Sequence, residues 1–357
     1  MSTYSSKSLA TKYRPKLMHD IVGQSNITDI LENQLANKTF RNTVLFTGPA
    51  GCGKTTSARA FARVLNNGKG TPIEIDAASN NGVENVRDII VKAQQKSLDS
   101  EYKVFIIDEC HSISNAGFQA FLKLIEEPPA NTVFIFCTTD PQKIPATILS
   151  RVQRFDFKRI SFENIVARLK YISEQEGYVV YDENDGTQPS EKCVSVQALG
   201  HLAKISDGGM RDAITSLDKC MAFSDVVNLK HIIDALGTVD YQIYFDLTNA
   251  IFNYEEQVVI EIVEKCHRNG SDLKQFVKQY TLFLLDICKY VVFNNFEYIQ
   301  IPDIYKQQLQ PYMSENAKEF LKFLLDEVNK LNSEIKWESS VKNIVQLKLL
   351  LLTQPEN

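Results

Sequence analysis

Gly48-Pro49-Ala50-Gly51-Cys52-Gly53-Lys54-Thr55 has the composition and spacing of a phosphate-binding loop. Its glycines let backbone N–H groups converge on a β-phosphate, and a helix that follows adds its positive end. Lys54 is then placed to reach the β- and γ-phosphates and Thr55 to hold Mg²⁺, with Thr56 next in line. Further along, the apolar run 104–107 ends in Asp108-Glu109. This pair supplies what phosphoryl transfer still lacks: Asp108 for the metal shell and Glu109 to polarise an attacking water. A solvated strand end would explain two carboxylates on their own, but their position after a phosphate loop favours the chemical reading. His111 is read as a hydrogen-bonded surface group without a catalytic role.

Such a loop has to be held between a buried strand and a helix, and 43–57, TVLFTGPAGCGKTTS, reads that way. The runs 104–107 and 132–137, the latter ending in Thr138-Thr139-Asp140, read as further parallel core strands. Between them, 116–127 has helical periodicity and stops at Pro128-Pro129, whose rings cannot continue a helix. Strand–helix alternation implies an α/β nucleotide-binding layer. After about residue 160 strand signals vanish, and amphipathic helical patterns at 164–176 and 196–205 predict a small helical lid. The polar, turn-rich stretch YDENDGTQPSEK at 181–192 is expected to be a loop inside it. From about 237 the pattern is helical again, at 273–292, 317–331 and 341–352. The expected domains are therefore 1–160, 161–236 and 237–357.

With 44% hydrophobic and 23% charged residues over 357 positions, the chain is neither disordered nor fibrous. No charge-free run approaches the roughly 20 residues that cross a bilayer, so no membrane partner is expected. The first 15 residues lack the apolar core of a secretory signal, and a cytoplasmic location is expected. Seven cysteines lie scattered with no C-x-x-C pair, against a zinc ribbon or a disulfide framework. The net charge of −5 hides a division: 20 basic and 15 acidic residues in 1–160, against 19 and 29 in the rest. A bound polyanion would face the amino-terminal part, though the excess there is small.

The phosphate loop, DECH at 108–111, IEEPPANTVFIFCTTDPQKIPATILSRVQRF at 125–155 and ISDGGMRDAITSLDK at 205–219 occur in a telling order. Together with LATKYRPKLMHDIVGQ at 9–24, they resemble the large ATPase subunits of bacterial clamp loaders, the gamma/tau family of DNA polymerase III, within the AAA+ class. The likeness is dense over 9–223 and thin beyond. It implies a parallel-sheet AAA+ ATPase domain, a helical lid and an all-helical collar. It also implies that ATP, with Mg²⁺, is bound and hydrolysed to open a sliding clamp and load it on primer-template DNA. By this resemblance Arg151 would be an arginine finger reaching a neighbouring subunit's ATP. Thr139 would be the polar sensor, with Thr138 the near alternative, and Arg211 would meet the γ-phosphate in the same subunit. Tyr13, Arg14, Pro15 and Val22 would line the adenine side. For both arginines an ordinary exposed side chain stays open. The family's four-cysteine zinc module is replaced by NNGKG at 66–70, so zinc is not expected. Val152 stands where the family's serine-arginine-cysteine motif has its cysteine, and no long extension follows the third domain, so tethering of polymerase or helicase is not expected. The compact chain also resembles phage-encoded clamp loaders, in which identical subunits fill several ring positions.

Ser79-Asn80-Asn81-Gly82 precedes a helix expected to run to about residue 96, and Ser114-Asn115 precedes that of 116–127. Both read as capped starts whose free N–H groups could meet phosphates, or as plain capping. The resemblance implies that these helices track a DNA backbone without reading bases, making Asn80, Asn81, Ser114 and Asn115 the DNA-contact candidates. It further implies a clamp-facing surface near the helix after the phosphate loop and 83–90. The collar would hold a five-subunit ring of other subunits or further copies, while Phe283, Leu284 and Leu350 read as core. Rival classes fit less well. A protein-unfolding machine needs an aromatic pore loop, and 66–101 has no aromatic residue. A branch-migration motor would carry a winged domain at its end, and a structural ring member with little hydrolysis would not need Lys54, Thr55, Asp108 and Glu109 together.

Overall fold

The computed structural model describes residues 7–97, 99–185, 191–236 and 241–353. Its two units are Met1–Val227 and Asn228–Asn357. In the first, β1 (Thr43–Thr47), β2 (Ile73–Asp76), β3 (Lys103–Asp108), β4 (Thr132–Thr138) and β5 (Gln153–Asp156) form one parallel sheet in the order β2-β3-β4-β1-β5. Every residue of β1 and β4 is buried, as expected where helices cover both faces of a parallel sheet. Before and among the strands run α1 (Leu9–Lys12), α2 (Ser25–Ala36), α3 (Lys54–Leu65), α4 (Val83–Gln94), α5 (Asn115–Glu126) and α6 (Ala146–Leu149).

Alternation along β1 assigns its side chains to two cores. Val44 and Phe46 join Phe61 of α3 on one face, and Leu45 joins Phe121 of α5 on the other. Phe105 and Phe134 stack across β3 and β4 at 5.1 Å between ring centroids. The edge strands β2 and β5 escaped the sequence reading because each has four residues and neither is a continuous apolar run.

Beyond the sheet come α7 (Phe162–Gln175), α8 (Val196–Ile205) and α9 (Met210–Phe223). The expectation of helices alone after residue 160 needs correction. Val179–Tyr181, Cys193–Ser195 and Val226–Val227 pair as a small parallel sheet, β6-β7-β8. Two or three residues are too few to display a period of two, so the signal could not be read. Of the expected loop at 181–192, Tyr181 closes β6, a short turn covers Glu183–Asp185, and 186–190 lie outside the described residues.

The second unit holds α10 (Leu229–Leu236), α11 (Tyr241–Phe252), α12 (Glu256–Arg268), α13 (Leu273–Phe293), α14 (Lys306–Leu309), α15 (Glu315–Glu334) and α16 (Val341–Leu351). Its core is aromatic: Phe245 packs edge-on to Phe283 at 4.8 Å, and the Tyr280 and Thr248 hydroxyls meet at 3.0 Å. Phe283 and Leu284 are buried in it, whereas Leu350 stays half-buried. Among the described residues no helix is long and apolar enough to cross a membrane.

Asp286 is a carboxylate inside this core, 6% exposed. It accepts from the Gln300 backbone N–H at 2.7 Å and from Lys289 Nζ at 3.1 Å, pinning the chain after α13 to the helix. Burial raises its pKa, and the bonds from Gln300 and Lys289 offset this only in part. Because the folded value is raised, this group's contribution to stability is full below the unfolded pKa and is lost as pH rises through the folded one. Asp286→Ala should destabilise this unit by about 1–3 kcal/mol through the stranded Gln300 donor, and Asp286→Asn should remove the pH slope. Urea unfolding from pH 4 to 7, followed through Trp337, the chain's single tryptophan, measures both.

Candidate nucleotide site

The carboxyl ends of β1, β3 and β4 lie on one edge of the sheet because parallel pairing places Thr47 opposite Thr138 and Ile107 opposite Phe136. The phosphate loop leaves β1 there, and two of its glycines are required by geometry. Gly48 has φ +145°, and a Cβ on it would lie 2.4 Å from the Phe157 carbonyl oxygen. Gly51 has φ +70°, and a Cβ there would lie 3.0 Å from the Gly209 Cα. The loop opens directly into α3, whose first residue is Lys54.

A cavity of about 510 Å³ sits over this loop, a size suited to a nucleotide-scale ligand. Ala50, Gly51, Cys52, Gly53, Lys54, Thr55 and Thr56 line it, with Asp108, Glu109 and Arg211 and with Tyr13, Arg14, Pro15 and Val22. Gly48 and Pro49 frame it from behind, their carbonyl oxygens accepting from Lys54 Nζ at 2.8 and 2.7 Å. Burial raises the pKa of the Cys52 thiol, which suits a packing role.

Thr55 Oγ1 donates to Asp108 Oδ2 at 2.8 Å, so the two expected Mg²⁺ ligands are brought into contact across 53 residues of chain. Two hard oxygen donors fit a cation that keeps several waters and takes its remaining ligands from phosphates. No cluster of three or more His, Cys, Asp or Glu side chains that could hold a metal occurs among the described residues. Glu109 is left-handed, φ +46° and ψ +43°, an uncommon conformation for a residue with a side chain. Its Oε2 accepts from Thr139 Oγ1 at 3.0 Å, so Thr139 reaches the site through Glu109. Thr138 instead accepts from the Asp140 N–H and lies 3.1 Å from His111 Nδ1.

Cations crowd the cavity. Arg59, Arg168 and Met210, not singled out from sequence, also line it, and Arg59 pairs with Glu74. Burial and then the neighbouring Arg59 and Arg211 guanidiniums lower the Arg14 pKa. Like charges gathered around a pocket are relieved by an anion.

Two segments outside the loop bond to its carbonyls. Met210, first residue of α9, donates its backbone N–H to the Gly51 carbonyl at 3.1 Å. Gln24, 4% exposed, donates to the carbonyls of Cys52 at 3.2 Å and Lys158 at 2.7 Å and accepts from the Lys158 N–H at 3.3 Å. Sequence reading quoted Gln24 but gave it no role, since nothing in the sequence pairs it with residues 28 and 134 positions away. The segment before it is tied to α7 and its carboxyl-terminal cap. The Tyr13 hydroxyl and Lys12 Nζ both bond Glu176 Oε1, and Arg168 donates to the Tyr13 carbonyl at 2.8 Å. Burial, and next the bond to Glu176, raise the Tyr13 pKa and keep it a phenol donor.

Arg151 is not among the residues lining this cavity. It ion-pairs with Glu126 and donates to the Thr147 carbonyl at 2.8 Å, partly exposed. The DNA-contact candidates lie together: Ser114 donates its N–H to the Asn81 carbonyl at 3.3 Å. Ser114 caps α5 through Gly117 N–H, with Asn115 the first helical residue. The other start needs correction: α4 is opened by Gly82 without a side-chain cap and ends at Gln94. Asp76 offers the turn a better acceptor, taking bonds from Ala78 N–H and Ser79 Oγ, while Asn80 Nδ2 donates to its carbonyl.

Residues 71–161 match the family described as DNA polymerase III, delta subunit. Over 96% of its length the chain is 32% identical to the DNA polymerase III subunit tau of Bacillus subtilis, spanning 62% of that protein. Against the tau subunit of Escherichia coli it is 33% identical over 74% of its length and spans 42%. Against the DNA polymerase III subunit gamma of Buchnera aphidicola it is 30% identical, covering 96% of this chain and 97% of that one. Among solved structures, Thermotoga maritima RuvB, a Holliday junction branch migration motor, superposes at a TM-score of 0.51, with 18% identity, over 76% of this chain and 90% of that one. At that identity the likeness carries the fold alone, a P-loop α/β ATPase fold. The chain belongs to the gamma/tau subunit family of DNA polymerase III.

Proposed function

We propose that the chain is an ATP-hydrolysing subunit of a cytoplasmic clamp loader, which opens a sliding clamp and places it on primer-template DNA. One observation carries this reading. Lys54, Thr55, Asp108, Glu109 and Arg211 line a single cavity, while Arg151 faces elsewhere on the same unit. The loop N–H groups and Lys54 hold the phosphates, and Arg211 meets the terminal one from the lid. Thr55 and Asp108 would hold Mg²⁺, which would supply positive charge beside the phosphates. Glu109 takes a proton from water as its oxygen bonds the γ-phosphorus; the bond to the bridging oxygen breaks, and ADP and phosphate leave. Arg151 completes the site of a neighbour. Hydrolysis then depends on assembly, as a five-subunit ring of this chain with other subunits or further copies requires.

The lid of this reading is 161–236 and the collar 237–357. Met210 on Gly51 supports a lid that follows the state of the loop. The adjoining starts of α4 and α5, with Asn80, Asn81, Ser114 and Asn115, form a surface of amide and hydroxyl groups for a phosphate backbone.

Lys54→Ala should lose nucleotide binding, whereas Glu109→Gln should keep it and lose turnover. Arg151→Ala should leave ATP binding intact and lower turnover in the assembled ring by roughly 10³-fold or more. Rates measured alone and with clamp and primed DNA decide this. Normal hydrolysis by Arg151→Ala within the ring would remove the finger assignment, and a rate that clamp and primed DNA never raise would remove the loader assignment.

DNA binding should be independent of sequence and weaken steeply from low to high salt, because backbone contacts release counterions. Fluorescence anisotropy on two unrelated primed duplexes tests it, and a salt-independent affinity is the opposing result.

A further inference from the structure

His111, which sequence reading set aside, lies against the proposed water-activating carboxylate. It sits in the short turn Cys110–Ser112 that follows Glu109, with its side chain folded back toward the end of β4. Its Nδ1 is 3.2 Å from Glu109 Oε2 and 3.1 Å from Thr138 Oγ1. A carboxylate only accepts, so a hydrogen bond across the 3.2 Å approach of Nδ1 to Oε2 takes its proton from Nδ1. Thr138 Oγ1 already accepts from the Asp140 N–H and has a second lone pair for the same proton. Thr138 Oγ1 can accept from or donate to the ring, so the Glu109 contact is the one that favours a proton on Nδ1. With Nδ1 bare, two lone pairs would face each other at the Glu109 contact.

Thr139 Oγ1 donates to the same oxygen, Oε2, at 3.0 Å. The hydroxyl donor and the ring nitrogen thus converge on one carboxylate oxygen, and Oε1 has no hydrogen bond to protein among the described residues. Holding Oε2 fixes the last torsion of a side chain that otherwise rotates freely.

We propose that His111 is a positioning residue for Glu109: its Nδ1–H and the Thr139 hydroxyl clamp Oε2 so that Oε1 faces the cavity and takes the proton of the attacking water. The proposal rests on the ATPase reading above and adds the residue that orients its base. It predicts that His111 acts on turnover through Glu109 and leaves nucleotide binding alone.

The test compares full-length wild type with His111→Phe, which keeps the ring and deletes the donor, and His111→Asn, whose side-chain amide can stand at the Nδ1 position. Assays contain clamp and primed DNA. His111→Phe should lower kcat roughly ten-fold with the KM for ATP within about twofold, and His111→Asn should recover most of that loss. Placed on Glu109→Gln, His111→Phe should lower the residual rate no further. An unchanged kcat in His111→Phe, or the same ten-fold drop on the Glu109→Gln background, would overturn the proposal. A measurement without turnover separates it from the ATPase reading. The chain has five histidines, so ¹⁵N-histidine spectra can be assigned by single substitutions. His111 should carry its proton on Nδ1 in wild type and lose that preference in Glu109→Ala. A proton on Nε2 in wild type overturns the clamp. If wild type hydrolyses no more ATP than Lys54→Ala, the ATPase reading fails, while the ring spectrum still decides whether His111 holds Glu109.

Discussion

Parallel pairing of β1, β4 and β3 is the constraint from which the site follows. In parallel neighbours every strand ends on the same edge, so the loop after β1, the carboxylates after β3 and the threonines after β4 are delivered side by side. The pairing rests on burial from both faces. Phe61 beneath and Phe121 above clamp strands whose polar side chains stand only at their ends, and a slip of one residue would exchange the two cores. Asp108, whose carboxylate contacts Thr55, is thus placed by the same packing that excludes water from Phe105 and Phe134.

Around that rigid edge the remaining cavity walls come from segments held more lightly. The stretch from Leu9 to Gln24 reaches the lid through the Leu9 N–H on Asp218 and through Glu176, and reaches the loop through Gln24. Polar contacts of this kind are individually modest, about 0.5–1.5 kcal/mol each, and are exchanged more easily than an aromatic core is opened. The division between a fixed sheet and a rim of hydrogen bonds gives the site both a stationary half and a half that can answer to its ligand.

How much of this was readable in advance depended on distance along the chain. The placement of Lys54 and Thr55 on the cavity wall was legible because the loop is local, spanning eight residues. Asp108 and Glu109 were legible because a buried strand must end somewhere and two carboxylates mark the place. The long helices of the second unit were legible from periodicity, but the strands β2, β5, β6, β7 and β8 were too short to show any. Partners far apart in sequence left no trace: nothing local to Gln24 announces Lys158, and nothing local to Arg151 announces Glu126. The start of α4 failed for a different reason. Ser79 and Asn80 are good caps, yet Asp76 competes for them from the preceding strand end.

The bond between the Met210 amide and the Gly51 carbonyl is made entirely by main-chain atoms, beside an approach that only two glycines permit. Linkage of this sort is indifferent to which side chain residue 210 carries. Substitutions on the exposed face of α9 therefore leave this bond in place. An added β-carbon at Gly51 or a proline at position 210 would break it, the first by crowding the Gly209 backbone and the second by removing the donor.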